Sequence, residues 1–261
     1  MARPGPAKPA PQSGRKPWRA MLQVDAATLE PARSNTADGS ACDETEAILF
    51  ALALAVEQRD QQTSGHCQRL ALITVALGHN LGLKGSDLET LYRGGFLHDV
   101  GKVGIPDSIL LKPGKLTADE WVIMRSHPLR GEEICRPMKS LDPVLPIIRH
   151  HHERFDGYGY PDGLRGEQIP LLARIMQVAD IYDALMNARP YKPAYTPDQA
   201  LEILQKEADA GWRDPNLVRT FVQIHRDVIS AINGYASTMS DWPAENMRTS
   251  LANLQRFLTI Q

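Results

Sequence analysis

Apolar residues recur at steps of three or four positions through most of the chain, which is the spacing of one face of an α-helix. A clear example is the stripe that consists of His66, Leu70, Ile73, Leu77 and Leu81. The sequence lacks the sustained alternation of apolar and polar residues that predicts half-buried strands. The pattern therefore predicts an all-α fold, a helical bundle over about residues 43–235.

Capping boxes mark several helix starts. In such a box, a Ser or Thr side chain accepts from the backbone N–H three residues later, and a Glu or Gln side chain there reaches back. The candidate pairs are Ser86 with Glu89, Thr117 with Glu120, and Thr196 with Gln199. Gly101 is expected to end the helix that begins at Ser86.

Three predicted helices carry imidazole or carboxylate groups on or beside their apolar faces. His66 lies on the stripe above, a second stripe ends in His98 and Asp99, and a third helix over about 170–186 carries Asp180. Buried ionisable groups are costly unless they are paired or bind metal. Their convergence in one bundle predicts a metal in its core.

The two ends of the sequence differ from the predicted bundle. Six of the 19 prolines lie within the first 31 residues, so residues 1–42 are expected to be a disordered tail. The start is basic, but no apolar segment follows that would make a signal peptide. Residues 236–261 are expected to form a C-terminal helical extension.

Composition excludes several classes of protein. The content of 43% apolar and 23% charged residues is that of an ordinary globular protein. A net charge of -2 provides no global positive field for a long nucleic acid. Cys42, Cys67 and Cys135 are scattered, as expected in a reducing cytosol. The longest apolar run, 48–56, is too short to span a membrane. We therefore expect a cytoplasmic protein without membrane contact.

Histidines are the candidate ligands that stand out. His150, His151 and His152 are consecutive, and His127 lies near a predicted helix end. Imidazole and carboxylate ligands without thiolate suit iron, manganese, nickel or zinc, and disfavour a structural zinc finger. Each residue taken singly has another interpretation: His66 as a hydrogen-bonded core histidine, the consecutive histidines as a solvated loop.

Four motifs carry a resemblance to a known family. They are "FLHDVGKVGIPDSILLKPGKLT", "HPLRGEEI", "HHERFDGYGYPDGLRGEQIPLLARI" and "VADIYDALMNARPYK". In this order they closely resemble the HD-GYP family of metal-dependent phosphohydrolases, over about residues 43–215. The His-Asp doublet is His98-Asp99, and the Gly-Tyr-Pro motif is 159–161.

The resemblance implies a dinuclear site in an HD-type helical bundle, with two divalent ions, most often iron or manganese. The implied ligands are His66, His98, Asp99, His127, His151, His152 and Asp180, with Asp99 as the bridge between the metals. Members with a third metal carry a glutamate where this sequence has Gln62, so two ions are expected. Two metals can activate a water and clamp a phosphate.

The resemblance also implies residues that act on the substrate. Lys102 is expected to reach a phosphate oxygen or to assist the leaving oxygen. Arg189 and Lys192 are expected to contact the cyclic dinucleotide, with Tyr160 and Asp183 beside them. Without the resemblance, Lys102 would be a surface lysine, and Arg189 and Lys192 part of a solvated loop.

The implied activity is hydrolysis of cyclic di-GMP to pGpG and on to GMP, which lowers this bacterial messenger. One alternative is the same chemistry on another cyclic dinucleotide, such as cyclic GMP-AMP. Another is a non-catalytic module that binds partners with a GGDEF domain through the Gly-Tyr-Pro loop. Because the implied ligand set is complete in the sequence, it favours the hydrolase.

Overall fold

The computed structural model describes residues 37–59, 65–187 and 194–236, and these form a helical bundle. The ten α-helices among them are α1 (Ala37–Arg59), α2 (His66–Asn80), α3 (Ser86–Leu97), α4 (Asp107–Leu110), α5 (Ala118–Met124), α6 (His127–Cys135), α7 (Leu145–His150), α8 (Leu171–Met186), α9 (Pro197–Asp209) and α10 (Pro215–Ala236). Three short 3-10 helices span Val100–Gly104, Lys139–Leu141 and Gly166–Gln168. The described part contains no strand, only an isolated bridge between Asp156 and Arg165. The predicted all-α fold is confirmed.

The core forms where α2, α3 and α8 pack together. Leu70, Leu91 and Ile175 are completely buried there. The approach of α3 to α2 requires a glycine, because a Cβ at Gly95 would lie 2.4 Å from the backbone nitrogen of Ala71. Helices α9 and α10 pack against α8. This packing buries the apolar helix faces that the residue spacing in the sequence predicts.

Two of the three capping boxes are confirmed. Both the Thr117 and the Thr196 side chains accept from the backbone three residues later, with the reciprocal hydrogen bond present. The prediction for Ser86 is wrong, because Gly85 is the N-cap and the serine is already the first helical residue. From there its hydroxyl does not cap the helix, and Glu89 instead pairs with Arg93 at 2.9 Å.

Helix α3 ends before the predicted glycine. Its last residue is Leu97, His98 is the C-cap, and the chain continues as the 3-10 helix Val100–Gly104. Gly101 has a different role: a Cβ there would lie 1.9 Å from the backbone oxygen of His127. Only glycine lets the 3-10 helix and α6 approach this closely.

Helix α1 begins at Ala37, before the predicted start of the bundle at residue 43. The remainder of the predicted tail, and residues 237–261 of the predicted extension, lie outside the described residues. Among the described helices, none combines the length and the apolar character needed to cross a bilayer.

Candidate metal centre

The seven predicted ligands lie together in two adjacent groups. One group consists of Asp99, His127, His151 and His152, and the other of His66, His98 and Asp180. Within each group, one ligand atom from every residue lies within 4.8 Å of the others. The structure therefore brings together all seven residues that the family resemblance implied as ligands.

Helix ends bring these side chains together. His66 and His127 are the first residues of α2 and α6, whereas His98 and His151 follow the last residues of α3 and α7. Asp180 lies inside α8. Because several elements end at one point in the core, residues distant in sequence share one small volume.

The start of α2 is fixed by a carboxylate from α1. Gly65 caps α2 without a side chain, so the first backbone N–H groups need another acceptor. The buried Glu57 carboxylate supplies it, accepting from the backbone N–H of His66 at 2.9 Å and of Cys67 at 3.1 Å. This contact fixes the backbone of a ligand candidate. Sequence reasoning did not predict it.

Three histidines are oriented in the same way. The Nδ1 atoms of His98, His127 and His151 each donate to the carbonyl oxygen three residues earlier. The acceptors are Gly95 at 3.1 Å, Met124 at 2.9 Å and Ile148 at 2.8 Å. In this tautomer the Nε2 atom carries a lone pair and is available as a ligand.

Asp183 orients the fourth histidine. Its Oδ2 accepts from Nδ1 of His66 at 2.7 Å, and its Oδ1 accepts from Nε of Arg69 at 2.6 Å. The Nε2 atom of His66 then lies 3.6 Å from Asp180. Both oxygens of Asp183 are thus engaged, Oδ2 by His66 and Oδ1 by Arg69. Its contact with substrate stays a prediction, whereas its geometry favours a positioning role.

The donor set fits a divalent cation. The Nε2 atoms of His127 and His151 lie 3.3 Å apart, and Oδ1 of Asp99 lies 3.1 Å from the former. With both Nδ1 atoms protonated, these three atoms are all acceptors and face one another. Nε2 of His98 and Oδ1 of Asp99 are also buried without a hydrogen-bond partner. A cation between such atoms removes their repulsion and satisfies them.

Asp99 lies between the two groups. Its Oδ1 faces His127 at 3.1 Å and His151 at 3.7 Å, whereas its Oδ2 lies 3.3 Å from Nε2 of His98. The ammonium of Lys102 lies 2.6 Å from the same Oδ2. The predicted bridging role is compatible with this position.

The pKa shifts of Asp99 and His152 favour the forms that bind a metal. Burial opposes ionisation of Asp99, but the Lys102 ammonium and the neighbouring His98 hold the pKa of its carboxyl well below the usual range. Burial and the adjacent His151 and His127 lower the pKa of His152 well below that of a free imidazole. An ionised carboxylate and neutral imidazoles are the forms that bind a metal.

All the ligand candidates except His98 line a cavity of about 900 Å³, which is within the range of small-molecule sites. Tyr160 stacks on His152 in its wall, with ring centroids 4.9 Å apart. Lys102 also lines the cavity. Of the predicted substrate-binding residues, Arg189 and Lys192 lie outside the described residues, as does Gln62.

A buried glutamate that the sequence analysis did not single out shapes the loop of Tyr160. Glu153 is completely buried, and its carboxylate accepts three backbone N–H groups. The donors are Asp162 at 2.7 Å, Gly163 at 3.1 Å and Leu164 at 3.1 Å. Gly159 allows the loop to fold back, since a Cβ there would lie 2.1 Å from the nitrogen of Arg154. The loop therefore presents Tyr160 from a rigid frame.

The positioning role of Asp183 gives a first prediction. Asp183→Asn removes the charge that holds the Nδ1 proton of His66, so we expect metal affinity at this group to fall about 10- to 100-fold. Chelator competition of the metal-loaded protein measures the loss. Asp142→Asn, at an exposed carboxylate, is the matched control. Equal metal retention in the two variants would contradict the role.

The HD domain family model matches residues 51–217, which include all seven ligand candidates. The chain belongs to the HD domain family. Its motifs and its curated relatives place it in the HD-GYP branch. Divalent metals are the cofactors of HD-domain phosphohydrolases, in agreement with the two His/Asp groups.

Curated relatives of this HD-domain chain come from several bacteria. The cyclic di-GMP phosphodiesterase response regulator RpfG of Xanthomonas campestris is 43% identical over 197 residues, covering 75% of this chain and 52% of the relative. The 3'3'-cGAMP-specific phosphodiesterase 2 of Vibrio cholerae is 42% identical over 187 residues, covering 71% and 35%. The chain thus spans about half or less of the length of these relatives.

Solved structures share the fold. A cyclic GMP-AMP specific phosphodiesterase of Vibrio cholerae has a TM-score of 0.57 at 21% identity, covering 77% of this chain and 54% of that one. The HDG"Y"P protein Bd1817 of Bdellovibrio bacteriovorus has a TM-score of 0.52 at 21% identity, covering 72% and 62%. At these identities the likeness concerns the fold.

Proposed function

We propose that this HD-domain chain is a metal-dependent phosphodiesterase that hydrolyses cyclic di-GMP to pGpG and on to GMP, and so lowers this messenger. The observation that carries the proposal is the pair of ligand groups that meet at Asp99 in a cavity that is also lined by Lys and Arg side chains. A cavity of this kind suits a small substrate with phosphodiester groups.

Two divalent ions, iron or manganese, are the proposed cofactors. One would be held by His66, His98 and Asp180, the other by His127, His151 and His152, with Asp99 shared between them. Two ions in such an arrangement supply the acidity that activates water and the positive charge that stabilises phosphoryl oxygens.

The side chains of the chain itself orient the substrate. Lys102 holds the Asp99 carboxylate at 2.6 Å and lines the cavity, from where its ammonium can donate to a phosphate oxygen or to the leaving oxygen. Tyr160 offers its ring and its hydroxyl, whose pKa is raised by burial, so the hydroxyl stays a donor. Arg189 and Lys192 are proposed to contact the dinucleotide from the adjacent segment.

Relatives support the substrate class. RpfG is named a cyclic di-GMP phosphodiesterase, as is a Pseudomonas aeruginosa relative that is 41% identical over 168 residues. The Vibrio cholerae relative named for 3'3'-cGAMP is almost equally similar. Cyclic GMP-AMP therefore belongs in the test as a second substrate.

The test is turnover by anaerobically purified chain loaded with iron or manganese. We expect cyclic di-GMP to disappear and pGpG, then GMP, to appear on chromatography, with no turnover after the metals are removed by a chelator. Cyclic GMP-AMP is run in parallel, and a clear preference for it would reassign the substrate. If both cyclic dinucleotides remain intact after incubation with the metal-loaded protein, the proposal is contradicted.

A further inference from the structure

Besides the ligand groups, several cationic side chains line the cavity, but most of them are already paired. Lys112 pairs with Glu120 at 2.6 Å, and Arg213 with Glu207 at 2.8 Å. Arg154 pairs with Asp156 and lies over the ring of Trp212. The charges of these three residues are therefore largely neutralised by carboxylates that do not line the cavity.

Arg125 differs from these cations. Its guanidinium forms neither a hydrogen bond nor an ion pair with any residue that the structure describes. Instead, it lies 5.6 Å from the ring centroid of Trp121 and 5.2 Å from that of Tyr160. Two aromatic rings thus hold a guanidinium whose N–H groups remain available at the cavity wall.

Lys115 adds a second available charge. It lies in the loop between α4 and α5, is exposed and lines the same cavity. Like Arg125, it has no ion pair with another residue in the described ranges. The acidic residues that line the cavity are Asp99, Asp180 and Asp183, which belong to the ligand groups or support them. The cavity lining therefore offers available positive charge at Arg125 and Lys115, and it carries no carboxylate apart from these three.

We propose that Arg125 and Lys115 form a second anion subsite, which holds the phosphodiester of the cyclic dinucleotide that is not being hydrolysed. This inference rests on the proposed function. A cyclic dinucleotide contains two phosphodiesters, and only one can lie at the ligand groups at a time. A planar guanidinium binds a phosphate through two parallel hydrogen bonds, and the rings of Trp121 and Tyr160 fix its orientation.

The position of Tyr160 connects the subsite to the metal centre. The tyrosine ring contacts Arg125 and also stacks on His152, a ligand candidate. One aromatic ring therefore connects the guanidinium to the ligand groups. The arrangement allows one substrate to engage both sites.

The subsite predicts different effects on two kinds of substrate. Arg125→Met should weaken binding of cyclic di-GMP about 10- to 100-fold, as expected for lost hydrogen bonds to a charged group. It should leave hydrolysis of bis(p-nitrophenyl) phosphate unchanged, because that compound has a single phosphodiester. Lys115→Met should have a smaller effect in the same direction. Arg219→Met, at an exposed arginine of α10, is the matched control.

The experiment has two parts. Calorimetry measures the Kd for cyclic di-GMP on metal-depleted wild type and variants, and kinetics with metal-loaded protein measure kcat and KM for both substrates. Weaker binding and a higher KM for cyclic di-GMP in Arg125→Met, a smaller effect in Lys115→Met and none in Arg219→Met, with equal rates on the small substrate, would support the subsite. Arg125 is exposed, so the variant is expected to fold.

Three outcomes would overturn the proposed anion subsite. Unchanged affinity in Arg125→Met would remove the subsite and leave the proposed function intact. An equal loss on both substrates would mean that Arg125 only positions Tyr160. A wild type that cleaves bis(p-nitrophenyl) phosphate but neither binds nor hydrolyses a cyclic dinucleotide would remove the proposed function, and the subsite with it.

Discussion

Asp99→Ala is expected to lower hydrolysis of cyclic di-GMP about 1000-fold or more, because a shared ligand contributes several kcal/mol to charge stabilisation by two metals. The two oxygens of this carboxylate face the two ligand groups, so its loss affects both. The substitution also leaves the ammonium of Lys102 without its partner at 2.6 Å, close to His98. We therefore expect metal content to fall as well.

Asp99→Asn and Asp87→Ala are the controls for this prediction. The asparagine keeps the shape of the side chain but removes its charge, so it separates ligation from packing. Asp87 is an exposed carboxylate in the first turn of α3, and its loss should change neither rate nor metal content. An Asp99→Ala protein that retains its metals and most of its activity would contradict the assignment.

Gly101→Ala is expected to destabilise the protein by about 1–3 kcal/mol or more, as overpacking does, and to lower activity about 100-fold through misplaced ligands. The added Cβ would lie 1.9 Å from the backbone oxygen of His127 and 2.4 Å from the nitrogen of Gly131. Both neighbours are backbone atoms, so α6 must move away from the 3-10 helix. His127 and Asp99 then separate.

Gly104→Ala provides a control within the same 3-10 helix. A Cβ at Gly104 would meet the flexible end of Arg130 at 3.0 Å, which can move aside. Thermal unfolding and turnover of both variants measure the difference. If both variants unfold and turn over like wild type, the close approach of the 3-10 helix to α6 at Gly101 is not what positions the ligands.

The helices were predictable because their signal is local. The stripe through His66 is visible in one stretch of sequence, and the capping boxes at Thr117 and Thr196 lie within four residues. Helix ends were less predictable. At Ser86 the glycine before it takes the capping position, and after Leu97 the chain tightens into a 3-10 helix.

The seven ligand candidates could be predicted from the family motifs. The contacts that hold these side chains in place could not, because they depend on the fold. The carboxylates of Glu57 and Asp183 fix His66 from α1 and α8, and neither contact has a local signal in the sequence. The role of Glu153 likewise appears only when the loop folds back over it. Such contacts join residues whose distance in space the apolar pattern does not specify.

The most direct test of the two-metal assignment is anomalous diffraction from crystals of the manganese- or iron-loaded chain. We expect two adjacent peaks, one among His66, His98 and Asp180 and the other among His127, His151 and His152, with an oxygen of Asp99 at each. A single peak away from Asp99, or no peak in loaded crystals, would contradict it.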